Sequence, residues 1–384
     1  MGQRRYIVAG SFIDGSGAGV RKNVFLEVAE GSIAAIGPAA DLPRHAGRAI
    51  DDFSHCTIVP ALVDCSVSLS RSPSVDQRVR LAAAEADLAQ QAAMLREHIR
   101  YCHAHGVLGV ADSDDRAGLL ARDREEGRGQ AGLIDIRVAG RDFLKIACSA
   151  SIEGGEAPQP RLDREELRRL LLARGGRKAV VVANGRREVA EALHAGCDAI
   201  EQGYGMGEEN LRKMAALGVL WIPSVLRARN GLDGASSGGA VCCRFSTRYV
   251  APGKPLPGAE AFWKKTLAEQ LAQLRLAREL GVATAVGTGA GAAGIIHGEA
   301  LVEEMKLFLK AGYSLAETIR CASEKGARFF GLEKLGALAV GRRATFLLAR
   351  GTEKQLPRKL SYLEGIYVDG APSGAYRKNP SRVG

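Results

Sequence analysis

Residues 181–224 read VVANGRREVAEALHAGCDAIEQGYGMGEENLRKMAALGVLWIPS, and this stretch decides the fold. Short apolar runs at 179–183, 199–201 and 220–225 are separated by longer stretches of mixed polarity. The stretch before the last run ends at Gly218, a residue typical of a helix C-terminus. Strand, helix and strand in succession are the pattern of a parallel sheet covered by helices.

The same alternation extends in both directions along the chain, with one irregular place. Only four residues separate the run that ends at 138 from the run that starts at 143, whereas a parallel crossover takes a dozen or more residues. Either one of these runs is not a barrel strand, or its crossover helix is missing. Eight runs in this order predict a parallel (β/α)8 barrel. The runs lie at 62–69, 107–111, 134–138, 143–147, 179–183, 199–201, 220–225 and 282–287.

The two ends of the chain are strand-rich and carry turn signals such as Glu30-Gly31. They predict a small discontinuous β-sandwich domain built from residues 1–59 and 336–384, with the barrel at 60–335. Residues 228–257 contain many Gly, Ser and Pro and predict a long loop after the seventh strand. Such a loop lies at the ligand-binding face of a barrel, or it is an excursion without a role.

Composition narrows the function classes. The 384 residues are 46% hydrophobic and 25% charged, which is typical of a globular protein. No apolar run reaches the roughly 18–20 residues that span a bilayer. The eight cysteines form no C-x-x-C pair, so we expect reduced thiols in a cytoplasmic protein. The net charge of +10 comes from scattered arginines, and we expect no nucleic-acid partner and no membrane partner.

Four motifs resemble the amidohydrolase superfamily, in order and in spacing. PALVDCSVSL at 60–69 resembles PGLIDxHxHL, and residues 181–224 resemble the stretch that carries HANG, IEHG and WVPT. GVATAVGTGAG at 281–291 resembles the segment with GTDAG, and LGALAVGRRATFLL at 335–348 resembles LGxLxPGKxADLVV. The resemblance covers nearly the whole chain and implies a barrel with a sandwich domain, in the imidazolonepropionase-like and prolidase-like subgroup.

The resemblance also implies a divalent metal that activates water, but the residues depart from the family at its ligand positions. Neutral or apolar residues replace four histidines and one aspartate. Lys145 resembles the lysine that becomes carboxylated and bridges two metals in the family. We expect the replaced positions and Lys145 to line the pocket. Because the replaced positions lack the family's ligand groups, we expect no metal cofactor. The replaced positions are Ser66, Ser68, Val182, Gln202 and Gly289.

We therefore expect a protein that is inactive as a metallohydrolase. It would bind an unidentified small molecule in the old pocket, or serve as a structural partner in a homo-oligomer or with an active paralogue. His297, Asn184 and Tyr204 are candidate pocket residues. We expect Gln202 to point at the former metal centre and Glu201 to point away from it, outside the barrel or paired with an arginine.

The alternative is an active hydrolase of carbon–nitrogen bonds other than peptide bonds. It would use a relocated or mononuclear metal such as zinc, held with the help of Lys145, His297 and Gln202, or it would run metal-free chemistry at Lys145. Lys145 is then the one candidate catalytic residue. Glu304 lies on the segment after His297, where we expect a solvated helix face.

Overall fold

The computed structural model describes residues 4–42, 50–115, 118–125, 133–149, 152, 162–236 and 257–376. In chain order the strands are β1 (Arg5–Phe12), β2 (Arg21–Ala29), β3 (Ser32–Pro38), β4 (Ile50–Pro60), β5 (Leu62–Val67), β6 (Val107–Asp112), β7 (Asp135–Val138), β8 (Leu144–Ala147), β9 (Ala179–Ala183), β10 (Ala199–Gln202), β11 (Leu220–Ile222), β12 (Phe346–Arg350), β13 (Leu363–Val368) and β14 (Ala371–Pro372). The helices are α1 (Gln77–Glu85), α2 (Leu88–Ala104), α3 (Leu119–Glu125), α4 (Arg164–Leu172), α5 (Arg186–His194), α6 (Gly207–Leu217), α7 (Val225–Ser236), α8 (Ala259–Glu279), α9 (Glu299–Lys310), α10 (Leu315–Cys321) and α11 (Glu324–Phe330).

The chain forms two compact units. A terminal unit comprises Met1–Val63, Cys102–Gly109 and Ser314–Gly384, and a barrel unit comprises Asp64–Tyr101 and Val110–Tyr313. Together they give the mixed α/β fold that the sequence predicts, with a parallel barrel and a separate β-rich part. In the described part of the chain, no helix combines the length and the apolar character needed to cross a membrane.

The terminal unit is built on one sheet with the strand order β14-β13-β12-β4-β1-β2-β3, so both ends of the chain contribute to it. The hairpin between β2 and β3 turns at Glu30 and Gly31, which both have positive φ, as a two-residue hairpin turn of this hand requires. Buried apolar side chains such as Ile7, Leu26 and Phe346 form its core.

The barrel unit has two parallel ladders, β11-β10-β9-β8 and β5-β6-β7. The segment 282–290 joins them without forming a regular strand. On one side the Trp221 N–H donates to the Ala283 carbonyl over 2.8 Å, and on the other the Cys65 N–H donates to the Val286 carbonyl over 2.9 Å. The eighth apolar run therefore occupies the eighth strand position of the barrel.

The short link between β7 and β8 has no crossover helix. An isolated parallel bridge joins Ala139 to Phe143, and the Asp142 carboxylate accepts a hydrogen bond from the Val138 N–H over 2.7 Å. Gly140 has a φ of +87° within this turn. Both runs are barrel strands, so the second of the two alternatives is the correct one: the helix is missing.

The prediction of a loop at 228–257 is wrong for its first part, because α7 covers Val225–Ser236. The residues from 237 to 256 lie outside the described part of the chain. Gly231, one of the glycines that suggested a loop, has a packing role. A Cβ built on Gly231 would lie 2.4 Å from Cε2 of Trp263, so the missing side chain lets α7 and α8 approach each other.

Gly287 allows a close approach inside the barrel. A Cβ at this position would lie 2.4 Å from Cγ2 of Ile222 and 3.1 Å from Cβ of Ser66. We expect Gly287→Ala to lower the free energy of unfolding by about 1–3 kcal/mol, because a packed core cannot absorb an added methyl group. Gly374 has no neighbour within 4 Å of such a Cβ, so Gly374→Ala is the control and should change stability little. Equal urea midpoints for the two variants would contradict the prediction.

Candidate functional site

Four polar side chains meet at the carboxyl ends of barrel strands. Lys145 of β8 places its Nζ 2.7 Å from Oε2 of Glu201 on β10 and 2.8 Å from Oγ of Ser113, the residue after β6. Ser66 of β5 donates its hydroxyl to Oε1 of Glu201 over 2.9 Å. We call these four residues the Lys145 cluster. It lies at the end of the barrel where ligands bind in folds of this kind.

The cluster is largely shielded from water. The Lys145 side chain is 15% exposed and the Glu201 side chain 4% exposed. Ser66 is buried, and Ser113 is half-buried. The attraction between opposite charges is strengthened by such burial, which holds the lysine and the carboxylate together.

The expectation that Glu201 points away from the centre is wrong. Glu201 pairs with Lys145 and accepts from Ser66, so it takes the inward position. The alternation rule requires extended backbone on both residues, and Gln202 has a φ of +71°. The strand therefore ends at Gln202, and counting alternation backward from that residue gives the wrong face for Glu201.

Gln202, Asn184 and Tyr204 form a second network. Asn184 donates its side-chain amide to Oε1 of Gln202 over 2.7 Å and accepts from the Tyr204 N–H over 3.0 Å. The Tyr204 hydroxyl donates to the Ser224 carbonyl over 2.6 Å, and burial raises the pKa of this tyrosine. All three residues are buried, and the described contacts tie them to one another.

The remaining replaced positions make their described contacts through backbone atoms or leave room for a neighbouring side chain. Val182 is buried and apolar, and its carbonyl accepts from the Cys148 N–H. Gly289 has a φ of +72°, and a Cβ built there would lie 2.9 Å from Nε of Arg227. The guanidinium of Arg227 thus occupies the space into which a side chain at position 289 would project. Ser68 contributes its carbonyl to His297.

His297 is fully buried. Its Nε2 lies 3.0 Å from the Ser68 carbonyl oxygen, and its ring stacks on His98 with centroids 4.0 Å apart. Burial lowers the pKa of His297 to about 3, and the neighbouring His98 adds to this effect. His297 is therefore neutral at pH 7, with Nε2–H donating to the carbonyl.

Asp64 is a site residue that lies within the motif at 60–69, but the sequence did not indicate its role. Its carboxylate accepts from the Thr288 hydroxyl over 2.6 Å, from the Thr288 N–H over 2.9 Å and from the Ser66 N–H over 3.1 Å. Burial raises its pKa to about 6, against the effect of these hydrogen bonds. Asp64 fastens β5 to the eighth strand position and so positions Ser66.

Glu304 was expected on a solvated face, and this prediction is wrong. Glu304 is fully buried. Its two oxygens accept from the N–H groups of Val225 and Leu226 over 2.8 and 2.6 Å, which caps the first turn of α7. Burial raises the pKa of this carboxyl to about 8. The cap comes from a distant part of the chain, so local sequence does not indicate it.

Asp112 is a further buried acid near the cluster. Its Oδ1 accepts from the Leu69 N–H over 3.0 Å, while its Oδ2 has no hydrogen-bond partner among the described residues. Burial raises its pKa to about 8, and the charges of Asp114 and Asp115 act in the same direction. Asp112 therefore takes up a proton more readily than an exposed aspartate.

The residues present do not fit a divalent metal of the kind that the family implies. Val182 and Gly289 supply no ligand atom, and the Lys145 side chain brings a cation to the carboxylate of Glu201. Within the described ranges, no group of three or more His, Cys, Asp or Glu side chains is placed to hold a metal ion. Metal sites of this class need at least three such ligands.

The chain is a parallel barrel with polar side chains gathered at the carboxyl ends of its strands, the place where barrels of this kind carry their sites. The profile described as "Amidohydrolase family" matches residues 136–374. The chain belongs to the amidohydrolase family. No curated protein matches it by sequence.

Solved structures with the same fold extend over nearly the whole chain. A Xaa-Pro dipeptidase with bound methionine has a TM-score of 0.78 at 18% identity, covering 97% of this chain and 100% of its own. The ochratoxinase of A. niger has a TM-score of 0.75 at 16% identity, covering 97% and 95%. A putative prolidase from Bifidobacterium longum has a TM-score of 0.72 at 18% identity, covering 99% and 96%. At these identities the likeness concerns the fold.

Proposed function

We propose that this member of the amidohydrolase family works without a metal and is inactive as a metallohydrolase. Its barrel mouth binds a small molecule, or the chain serves as a structural partner of further copies or of an active paralogue. The observation that carries the proposal is the Lys145–Glu201 pair at 2.7 Å, with Ser66 on the second carboxylate oxygen. An internal ion pair stands where a metal-dependent relative would need open ligand atoms.

The energetics support this proposal. A structural zinc site is worth about 10–16 kcal/mol in apparent binding, supplied by thiolates, imidazoles and carboxylates. Here Ser66 donates its hydroxyl to Glu201, and Glu201 faces a lysine. A cation brought to Glu201 would have to displace Lys145, and it would gain only neutral oxygens from the serines. Oε1 of Glu201 instead accepts from Ser66, and Oε2 faces the charge of Lys145 at 2.7 Å.

The surroundings of the cluster support a role in binding a small polar ligand. Charged and hydroxyl groups at a barrel mouth can orient a ligand through a few directed hydrogen bonds. The proposal includes a cytoplasmic location and no nucleic-acid partner, because the net charge of +10 comes without a basic block.

Metal content of the purified, untagged chain tests the proposal, after growth with zinc, manganese and iron. We expect less than about a tenth of an equivalent of metal per chain, because the ligand set is incomplete. We also expect no rise in melting temperature on adding zinc, since only a ligand that binds the folded state stabilises it. About one equivalent of bound metal, or metal-dependent turnover of amides or lactams, would refute the proposal.

A second candidate function, metal-free chemistry at Lys145, is favoured by one contact. The Lys145 Nζ lies 2.8 Å from the hydroxyl oxygen of Ser113. Chemistry of this kind needs a nucleophile and a base within hydrogen-bond reach of each other.

A further inference from the structure

Ser113, Lys145 and Glu201 form a chain of contacts that the family resemblance does not include. The Ser113 Oγ lies 2.8 Å from the Lys145 Nζ, and the Lys145 Nζ lies 2.7 Å from Oε2 of Glu201. A nucleophile within hydrogen-bond reach of a base, with a third group orienting the base, is the arrangement of covalent catalysis. We infer that Ser113 is a nucleophile for metal-free acyl transfer from small esters or amides.

The two serines beside the ion pair differ in their exposure. Ser66 is 2% exposed, and its hydroxyl donates to Glu201. Ser113 is half-buried and directly follows β6, so its hydroxyl lies at the end of the barrel where ligands enter. Its backbone is held in place, because the Ser113 N–H donates to the Val67 carbonyl over 2.7 Å. Ser113 is therefore the serine that a substrate carbonyl can reach.

Ser66 has a positioning role. Its hydroxyl holds Oε1 of Glu201, while Oε2 remains directed at Lys145. Asp64 accepts from the Ser66 N–H over 3.1 Å and fixes the end of β5. These contacts, from Asp64 through Ser66 and Glu201, hold the Lys145 amine next to Ser113.

The acyl-transfer step balances with these groups alone. Oγ of Ser113 forms a bond to the carbonyl carbon, and its proton moves to Nζ of Lys145 as Lys145 passes one proton to Oε2 of Glu201. The tetrahedral intermediate breaks its C–N or C–O bond, and the leaving group takes a proton from Lys145, which recovers one from Glu201. Water then releases the acyl group from Ser113 by the same proton path. Burial favours such a relay, because it disfavours separated charges.

This inference rests on the proposed function in one respect, namely that the pocket works without metal. The test uses the full chain with EDTA present. One sample is treated with a fluorophosphonate and another with p-nitrophenyl acetate, and labelled peptides are located by mass spectrometry. We expect one lasting label per chain on Ser113 with the fluorophosphonate, a transient acetyl group on Ser113 with p-nitrophenyl acetate, and neither in Ser113→Ala.

The variant Lys145→Arg distinguishes two roles of Lys145, a base that transfers protons and a cation that only pairs with Glu201. Arginine keeps a positive charge beside Glu201 but does not release a proton, so the labelling rate should fall at least about tenfold. Ser72→Ala is the matched control, since Ser72 is also half-buried and lies beyond the end of β5, and it should keep the original rate. Circular dichroism verifies that each variant is folded.

The outcomes distinguish this inference from the proposed function. Labelling of Ser113 no faster than in the urea-unfolded chain, with both reagents, would overturn the inference, as would an unchanged rate in Lys145→Arg. A chain that is also free of metal would leave the proposed function standing. A chain that holds about one equivalent of metal and is labelled only in its presence would overturn both.

Discussion

Glu201→Ala is expected to lower the free energy of unfolding by about 3 kcal/mol, because it leaves the buried Lys145 without its counter-charge. The two side chains are 4% and 15% exposed, and their charged atoms lie 2.7 Å apart. Ser66 also loses the acceptor of its hydroxyl in this variant. Urea unfolding at pH 7 measures the change.

Two variants give this prediction its controls. Glu269→Ala breaks an exposed pair with Lys265 on α8 and should change stability little, because exposed pairs contribute about 0–1 kcal/mol. The double variant Glu201→Leu with Lys145→Met should recover most of the loss, since no unpaired charge remains. If Glu201→Ala costs no more than Glu269→Ala, the pair does not hold the barrel mouth together.

Glu304→Gln is expected to flatten the pH profile of stability. Burial raises the pKa of Glu304 to about 8, whereas an unfolded chain has a value of about 4.3. Between these values the folded chain keeps a proton that the unfolded chain releases. The contribution of Glu304 to stability is therefore full below about pH 4 and is lost as the pH rises towards 8.

The expected difference between the two profiles from pH 5 to pH 8 is about 3–4 kcal/mol. Asp112 and Asp64 also have raised pKa values. The parent chain and Glu304→Gln both keep these residues, so their contributions cancel in the difference. Glu303→Gln is the control on the same helix, because Glu303 is partly exposed and paired with Lys306. Parallel profiles for the parent chain and Glu304→Gln would show that the pKa of Glu304 is not raised in the folded chain.

Local signals predicted the parts of the fold that local forces build. The Asp163 side chain accepts from the Glu166 N–H at the start of α4, a cap between residues three positions apart. Gly218, with a φ of +67°, ends α6. The apolar runs became barrel strands because buried parallel strands are continuously apolar. Each of these features depends on residues that are close in sequence.

Features that depend on distant partners were missed. The helix α7 begins where Glu304 accepts from the Val225 N–H, 79 residues away in sequence, so its glycine-rich stretch read as a loop. The inward direction of Glu201 follows from the positive φ of Gln202, which strand alternation does not anticipate. Position 304 read as surface, because the sequence does not show that α9 buries this face.

The sequence by itself determined the order of the barrel strands and the chemical identity of each side chain at the family's ligand positions. A valine or a glycine lacks a ligand atom in any conformation, so this conclusion needs no coordinates. Only the tertiary structure decided that Ser113 and Glu201 meet at Lys145 and that Ser66 meets Glu201, from three separate strands or strand ends. The energy of hydrogen bonds and ion pairs depends on distances of a few ångströms, and the closed barrel sets those distances.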